Sequence, residues 1–192
     1  MTERRLKARI VSRTPLHEGF LKVYRYRFEV ERHTGGTRQI EWELMERGNS
    51  VAVLGHDPKR DEVVLGNEFR PGAFVSGEYA YREQLIAGTI DSSESPIDAA
   101  AREMREETGL VLRDPVLVHP GAYVSSGGTS EKIASYMALW IRALQVALVV
   151  SARVKTSLPS FCRRNNSSIA LLSGEINDFK TLLAGYWLAA RR

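Results

Sequence analysis

Three glutamates in one short stretch, Glu103, Glu106 and Glu107 within GTIDSSESPIDAAAREMREETGL (Gly88 to Leu110), are the residues of this chain best spaced for chemistry. On a helix, carboxylates at i, i+3 and i+4 crowd one face and repel, each pair costing about 0.2–0.5 kcal/mol in an isolated helix. Arg102 relieves part of that repulsion, and a bound cation would relieve the rest. An all-oxygen donor set suits a hard divalent ion, and Mg²⁺ in particular is shared with substrate phosphates. The stretch therefore reads either as a helix-borne Mg²⁺ site for a phosphate compound or as a solvated acidic helix face.

The helix that must carry these side chains has both ends marked. Ser95 is a good N-cap, Pro96 fits the first helical position, Asp98 completes a weak capping box, and Gly109 supplies a left-handed stop. At about 100° per residue, Ile97, Ala100, Ala101, Met104 and Thr108 share one side, expected to dock. The three glutamates fall roughly opposite and are expected to stay open.

Gly88, Glu94, Arg102-Glu103, Met104, Glu106-Glu107, Gly109 and Leu110 fill every fixed position of the pattern G-x5-E-x7-R-E-U-x-E-E-x-G-U. In this the chain resembles the Nudix hydrolases. The resemblance implies Mg²⁺-dependent cleavage of a nucleoside diphosphate linked to another group, with Mn²⁺ as a substitute ion.

Outside that pattern the chain is similar to bacterial ADP-ribose pyrophosphatases and related nucleoside-diphosphate-sugar hydrolases. The similarity runs from about Phe20 to Glu131 and from Leu172 to Leu188. Its carriers are Glu46-Arg47-Gly48, Glu68-Phe69-Arg70, Ala87-Gly88, the loop Ser126 to Glu131, and Ser173 to Asp178 before a final helix. It implies that Glu103, Glu107 and the Ala87 carbonyl ligate the metal, with Glu106 a further ligand or a holder of water. Arg47 and Arg70 would sit near the phosphates and terminal ribose. Arg102 would hold the glutamates in place, and Glu94 would brace the loop.

The resemblance also implies that the N-terminal sheet joins two subunits into a homodimer. Tyr26 and Phe28 would then stack on adenine across the dimer, or simply pack. Relatives often take a general base from an acidic loop between the strand ending near Ile141 and the closing helix, and this chain has no acid from Lys132 to Gly174. Glu131 and Glu106 are the remaining candidates for that role. Gln84 stands where relatives commonly carry glutamate, and the adjacent Glu83 would point to the opposite face of a strand. A GDP-sugar hydrolase and a weakly active domain sensing a nucleotide are the competing functional readings.

Composition excludes several other classes. Of 192 residues, 43% are hydrophobic and 26% charged, ordinary values for a globular chain with a full core. Cys162 is the only cysteine, so an internal disulfide and a cysteine-based zinc site are excluded, which fits a reducing compartment. His56 and His119 lack metal-like spacing. The first residues, MTERRLKARI, have no apolar core of a signal peptide, and the run Ala143 to Val150 is too short to span a bilayer. A cytoplasmic protein without a membrane partner is expected. The net charge of +4 comes from one acid-free segment, Lys132 to Gly174, which argues against a nucleic-acid partner.

Strand periodicity is expected at Leu6–Ser12, Phe20–Arg32 and Gln39–Met45, a small antiparallel sheet with a turn at Thr34 to Thr37. Further strands are expected at Asn49–Gly55, Glu62–Glu68, Tyr81–Ala87, Val116–Tyr123 and Lys132–Ile141. Phe69 to Ala73 reads as a loop, and Asp178 to Ala190 as a closing helix packed through Leu182, Leu183, Tyr186 and Leu188. The expected architecture is α/β: a Nudix fold with a mixed sheet between helices in residues 47–192, preceded by an antiparallel subdomain in residues 1–46. Residues 142–168 fit neither the family nor a continuation of the sheet, and read as a translated frameshift or a sequence error.

Overall fold

The computed structural model describes residues 5–140, 158–163 and 173–190. The chain divides into two compact units. One holds the residues up to Gly48 together with Tyr123–Lys132, and the other holds Asn49–Ala122 with the described residues from Ile133 onward.

The first unit is built on an antiparallel sheet of β1 (Ala8–Glu18), β2 (Lys22–Glu31) and β3 (Thr37–Glu46), in the order β1-β2-β3. The β2–β3 register runs unbroken from Lys22 opposite Glu46 to Glu31 opposite Thr37. Gly35 and Gly36 make the turn at φ of 90° and 73°, values that glycine adopts without steric cost. Period-two alternation sorts β2 into two faces. Arg25 and Arg27 pair across the strand with Glu43 and Glu41 at 2.9 and 2.6 Å, and Glu29 pairs with Arg9 at 2.8 Å. The other face carries Tyr24, Tyr26 and Phe28, with the Arg13 guanidinium 3.5 Å above the Tyr24 ring.

The second unit is a seven-stranded mixed sheet. Its strands are β4 (Ser50–Asp57), β5 (Glu62–Phe69), β6 (Tyr81–Gln84), β7 (Ile86–Thr89), β8 (Leu112–Tyr123), β9 (Lys132–Trp140) and β10 (Leu158–Arg163). The order is β10-β5-β4-β9-β8, with β6 added to β5 and β7 to β4. β4 runs parallel to β9 and antiparallel to β5 and β7, and all eight of its residues are buried. Val51, Ala52, Val53 and Leu54 make the strand apolar on both faces over its middle.

Each face of that sheet takes a helix. Val51, Val53, Val64 and Ile86 pack with Ala99, Ala100 and Met104 of α2 (Pro96–Thr108). Ala52, Leu54, Val63, Leu65 and Leu85 pack with Ala184, Trp187 and Leu188 of α3 (Phe179–Ala189). The mixed sheet between helices is thus the architecture expected from the sequence.

Four local expectations are corrected. Phe69 to Ala73 is not all loop, because Pro71–Val75 forms a short helix, α1, with proline at its first turn, where a missing N–H costs nothing. Residues 158–163, inside the stretch read as foreign to the sheet, form β10 and pair antiparallel with β5 from Leu158 opposite Asn67 to Arg163 opposite Glu62. The rest of that stretch lies outside the described residues. On α3, Leu183 and Tyr186 are exposed, and the buried positions are Thr181 and Leu188.

The fourth concerns Tyr81 to Ala87, which is two strands rather than one. β6 pairs with β5, β7 pairs with β4, and Leu85 stands at the change of partner. A ladder that changes partner orphans a backbone group, and here the Leu85 N–H donates to Thr181 Oγ1 at 3.0 Å. The Thr181 hydroxyl in turn donates to Asp178 Oδ2 at 2.7 Å, while Asp178 caps α3 by accepting from the Thr181 N–H at 3.0 Å. Replacing Thr181 by valine leaves a buried N–H without its acceptor. Chemical denaturation is expected to read a loss of about 1–3 kcal/mol; an unchanged midpoint would remove Thr181 from this role.

Candidate active site

Local sequence builds α2 as its cap residues require. Ser95 Oγ accepts from the Asp98 N–H at 3.3 Å, Pro96 opens the helix, and Gly109 closes it at φ 72° with its N–H on the Arg105 carbonyl at 2.9 Å. The docking face is rotated from the one that helical spacing suggests. Ile97 is 41% exposed, while Ala99 is fully buried and Glu103 is only 3% exposed. The acidic face is therefore not uniformly open: Glu103 is buried, Glu107 half-buried and Glu106 exposed.

Two neighbours make a buried carboxylate at Glu103 tolerable. Gly88 on β7 has no side chain, and a Cβ built there would overlap the Glu103 carboxyl. Arg102 supplies the charge, with Nη1 on Glu103 Oε1 at 2.6 Å. A buried carboxylate with a paired, hydrogen-bonded cation escapes most of the penalty that an isolated one would suffer.

Arg102 also reaches backwards. Its Nε and Nη2 fork onto Glu94 at 2.9 and 2.8 Å, Nη2 donates to the Thr89 carbonyl at 3.0 Å, and Nη1 lies 3.6 Å from Glu106 Oε2. The hydrogen bonds that Arg102 donates to Glu94 and Glu103 hold the guanidinium proton more tightly than usual and keep the Glu94 carboxyl below the ordinary carboxylate range. One arginine thus ties the loop after β7 to the helix that bears the glutamates. Glu107 Oε2 stands 3.7 Å from where a Cβ would sit on Gly66 of β5, so a second glycine leaves space beside a second glutamate.

Arg70 is held on the same unit by a closed three-residue cluster. Its Nε donates to Gln84 Oε1 at 2.9 Å, its Nη2 pairs with Glu68 Oε2 at 3.0 Å, and Gln84 Nε2 donates to that same Glu68 oxygen at 3.0 Å. Arg47 and Glu131 belong to the first unit and form an ion pair at 3.7 Å. There Glu131 is buried, with its N–H on Thr129 Oγ1 at 3.1 Å. Tyr26 and Phe28 stack on each other with centroids 5.5 Å apart, and the Tyr26 hydroxyl bonds to Glu46.

Among the described residues, no three His, Cys, Asp or Glu side chains stand together as a closed metal-holding group. Glu103 and Glu106 share Arg102 instead. The donors nonetheless fit a hard cation. Glu103, Glu106, Glu107 and the Ala87 carbonyl offer oxygen only, and the Gly88 cradle brings a buried carboxylate against the strand that carries Ala87.

Residues 46–157 match the NUDIX domain, more than half of the chain, and the chain belongs to that family. It is 37% identical over 126 residues to an ADP-ribose pyrophosphatase of Escherichia coli strain K12, covering 64% of this chain and 59% of that protein. It is 35% identical over 130 residues to one of Haemophilus influenzae, covering 65% and 58%. It is also 31% identical over 119 residues to a GDP-mannose pyrophosphatase of Yersinia pestis, covering 62% and 59%. The matched stretch spans less than two thirds of each of these relatives.

Sequence reasoning missed two parts of this arrangement. Glu68 was legible only as part of a segment, and its link to Arg70 needs the β5–β6 pairing. Thr181 had a signal in its spacing from Asp178, an acidic cap with a hydroxyl three residues on.

The Asp178 cap carries a pH dependence. Burial pushes its carboxyl up, but Lys180 at 2.6 Å and the Thr181 hydroxyl and N–H more than offset this, leaving it below the ordinary range. A carboxyl depressed in the folded state contributes stability above its unfolded pKa of about 3.9 and loses it as pH falls through the depressed value. Asp178→Ala is expected to cost about 0.5–2 kcal/mol at pH 7. Its difference from the wild type should shrink as pH falls below about 4 in acid titrations of the thermal midpoint. A difference independent of pH would show that the carboxylate charge is not what caps α3.

Proposed function

We propose that the protein is a Mg²⁺-dependent diphosphatase of nucleoside-diphosphate sugars, with ADP-ribose as substrate and AMP and ribose 5-phosphate as products; Mn²⁺ would substitute. The observation that carries this reading is the buried Glu103 carboxylate, seated over Gly88 and clamped by Arg102, on the loop and helix that the family uses for catalysis. The names of the E. coli and H. influenzae relatives support ADP-ribose, and that of the Y. pestis relative supports GDP-mannose as the second reading.

Glu103, Glu107 and the Ala87 carbonyl would hold the metal, with Glu106 as a further ligand or the holder of a water. When bound, the ion supplies charge to offset that of the diphosphate and makes its bound water more acidic. Arg102 keeps Glu103 oriented. Arg70 would offer N–H groups to phosphate oxygens, which guanidinium matches as a planar fork, and the resemblance implies the same role for Arg47. Glu106, or Glu131 as the resemblance implies, would take the proton from the attacking water as its oxygen bonds to phosphorus, and the bond from phosphorus to the bridging oxygen would break.

The chain is read as a homodimer joined through the first unit's sheet. Ile10 and Trp42, 60% and 52% exposed there, support a covered face. A monomer mass in sedimentation equilibrium would remove this reading. Tyr26 is 7% exposed and already stacked on Phe28, which favours packing over adenine contact. Among the described residues no helix is long and apolar enough to cross a membrane, and we place the protein in the cytoplasm on its single cysteine.

Turnover of ADP-ribose, GDP-mannose and NADH with Mg²⁺, coupled to a phosphatase and read as released phosphate, tests the proposal. ADP-ribose is expected to give the highest kcat/KM. Preference for GDP-mannose would favour the second reading. Tight binding of one nucleotide without turnover of any would make the protein a sensor.

A further inference from the structure

Gln84 is 4% exposed, yet neither end of its amide is wasted. Its oxygen accepts from Arg70 Nε at 2.9 Å and its nitrogen donates to Glu68 Oε2 at 3.0 Å. Glu68 closes the ring by pairing with Arg70 Nη2 at 3.0 Å. The acceptors lie along the Nε and Nη2 edge of the guanidinium. The Nη1 group has no hydrogen-bond partner among the described residues, and the Arg70 side chain is 38% exposed.

Two properties of glutamine are used here together. The amide accepts from the arginine and donates to the carboxylate at once, which an ionised carboxylate cannot do. It also adds no charge, so the cluster of Glu68, Gln84 and Arg70 is neutral overall. A carboxylate at 84 could not donate to Glu68, would face it as a like charge at hydrogen-bond range, and would turn the cluster net anionic. An anionic cluster repels a diphosphate that a neutral one leaves free to approach.

We infer that Gln84 is a positioning residue that fixes Arg70 by one edge while keeping the cluster uncharged, so that the other edge meets an anionic phosphate group. This rests on the reading of Arg70 as a phosphate contact.

The test is isothermal titration with the α,β-methylene analogue of ADP-ribose in the presence of Mg²⁺, which reads binding without turnover. Gln84→Glu is expected to weaken binding about tenfold. The double variant Glu68→Gln with Gln84→Glu exchanges amide and carboxylate, leaves Arg70 an oxygen acceptor at both positions, restores neutrality, and is expected to return to within about threefold of the wild type. A purely structural need for glutamine at 84 predicts no such rescue.

Arg70→Ala separates the two readings. If it binds the analogue as well as the wild type does, Arg70 is no phosphate contact and the inference falls with it. If Arg70→Ala is impaired while Gln84→Glu stays within twofold of the wild type, or the double variant is as weak as the single, the role of Gln84 is overturned and that of Arg70 stands. No binding by the wild type at millimolar analogue removes both. The thermal midpoint of each variant shows whether it is folded, and the double variant carries the test should the single one not fold.

Discussion

Replacing Glu107 by glutamine is expected to lower kcat for ADP-ribose by about 10²–10³-fold, the loss of about 2.7–4 kcal/mol of transition-state stabilisation seen when one electrostatic partner is deleted from an active site. Glutamine keeps the size of the side chain and removes only its charge, so the half-buried position on α2 stays filled. The fold should persist. Because the charge serves to hold a cation, raising Mg²⁺ is expected to recover part of the rate, whereas the KM for nucleotide changes less. Hydrolysis at full speed in Glu107→Gln would sink the proposed site.

Gly88→Ala is expected to be nearly as damaging, for a steric reason. The new methyl group would occupy the space of the Glu103 carboxyl, which is pinned by Arg102 and cannot retreat into solvent without breaking that pair. Overpacking of this kind costs about 1–3 kcal/mol of stability, and the displaced carboxylate should cost about 10²-fold in kcat. Gly72→Ala makes the comparison, because a Cβ there meets no atom within 4 Å. Gly72 lies in α1, where alanine is the better helix former, so an unchanged or slightly raised thermal midpoint is expected. If both alanine variants keep wild-type kcat, the Gly88 cradle has no catalytic importance.

The residues show where the sequence was readable and where it was not. Caps are local chemistry, and Ser95, Pro96 and Gly109 end α2 where their types require. Alternation along β2 is equally local, and so the faces of the first sheet follow from spacing alone. The rotation of α2 does not follow. Polarity places Glu103 outside, and only Gly88, fifteen positions upstream and brought close by the β7–α2 packing, makes room for it inside. The same holds for Leu85: a run from Tyr81 to Ala87 has no sign of a break, because the break is caused by competition between β5 and β4 for partners. The cluster around Arg70 was visible as Gln84 being out of place, but its meaning required a neighbour from another strand. β10 stayed hidden for a different reason: it lies in the stretch 142–168 that reads as foreign to the family, although the family match runs to residue 157.

The position of β4 between β9 and β5 has a consequence for how the protein is made. Ser50 pairs with Ile133 and His56 with Leu139, so the central strand waits for a partner translated some eighty residues later. At ribosomal speeds of about 5–20 residues per second, that leaves several seconds in which an apolar strand edge has no parallel neighbour. Pairing over so long a separation is intrinsically slow, and an unpaired apolar edge recruits other chains. Nascent protein released before β9 has emerged would therefore be prone to clump, and soluble yield should improve when synthesis is slowed or cooled.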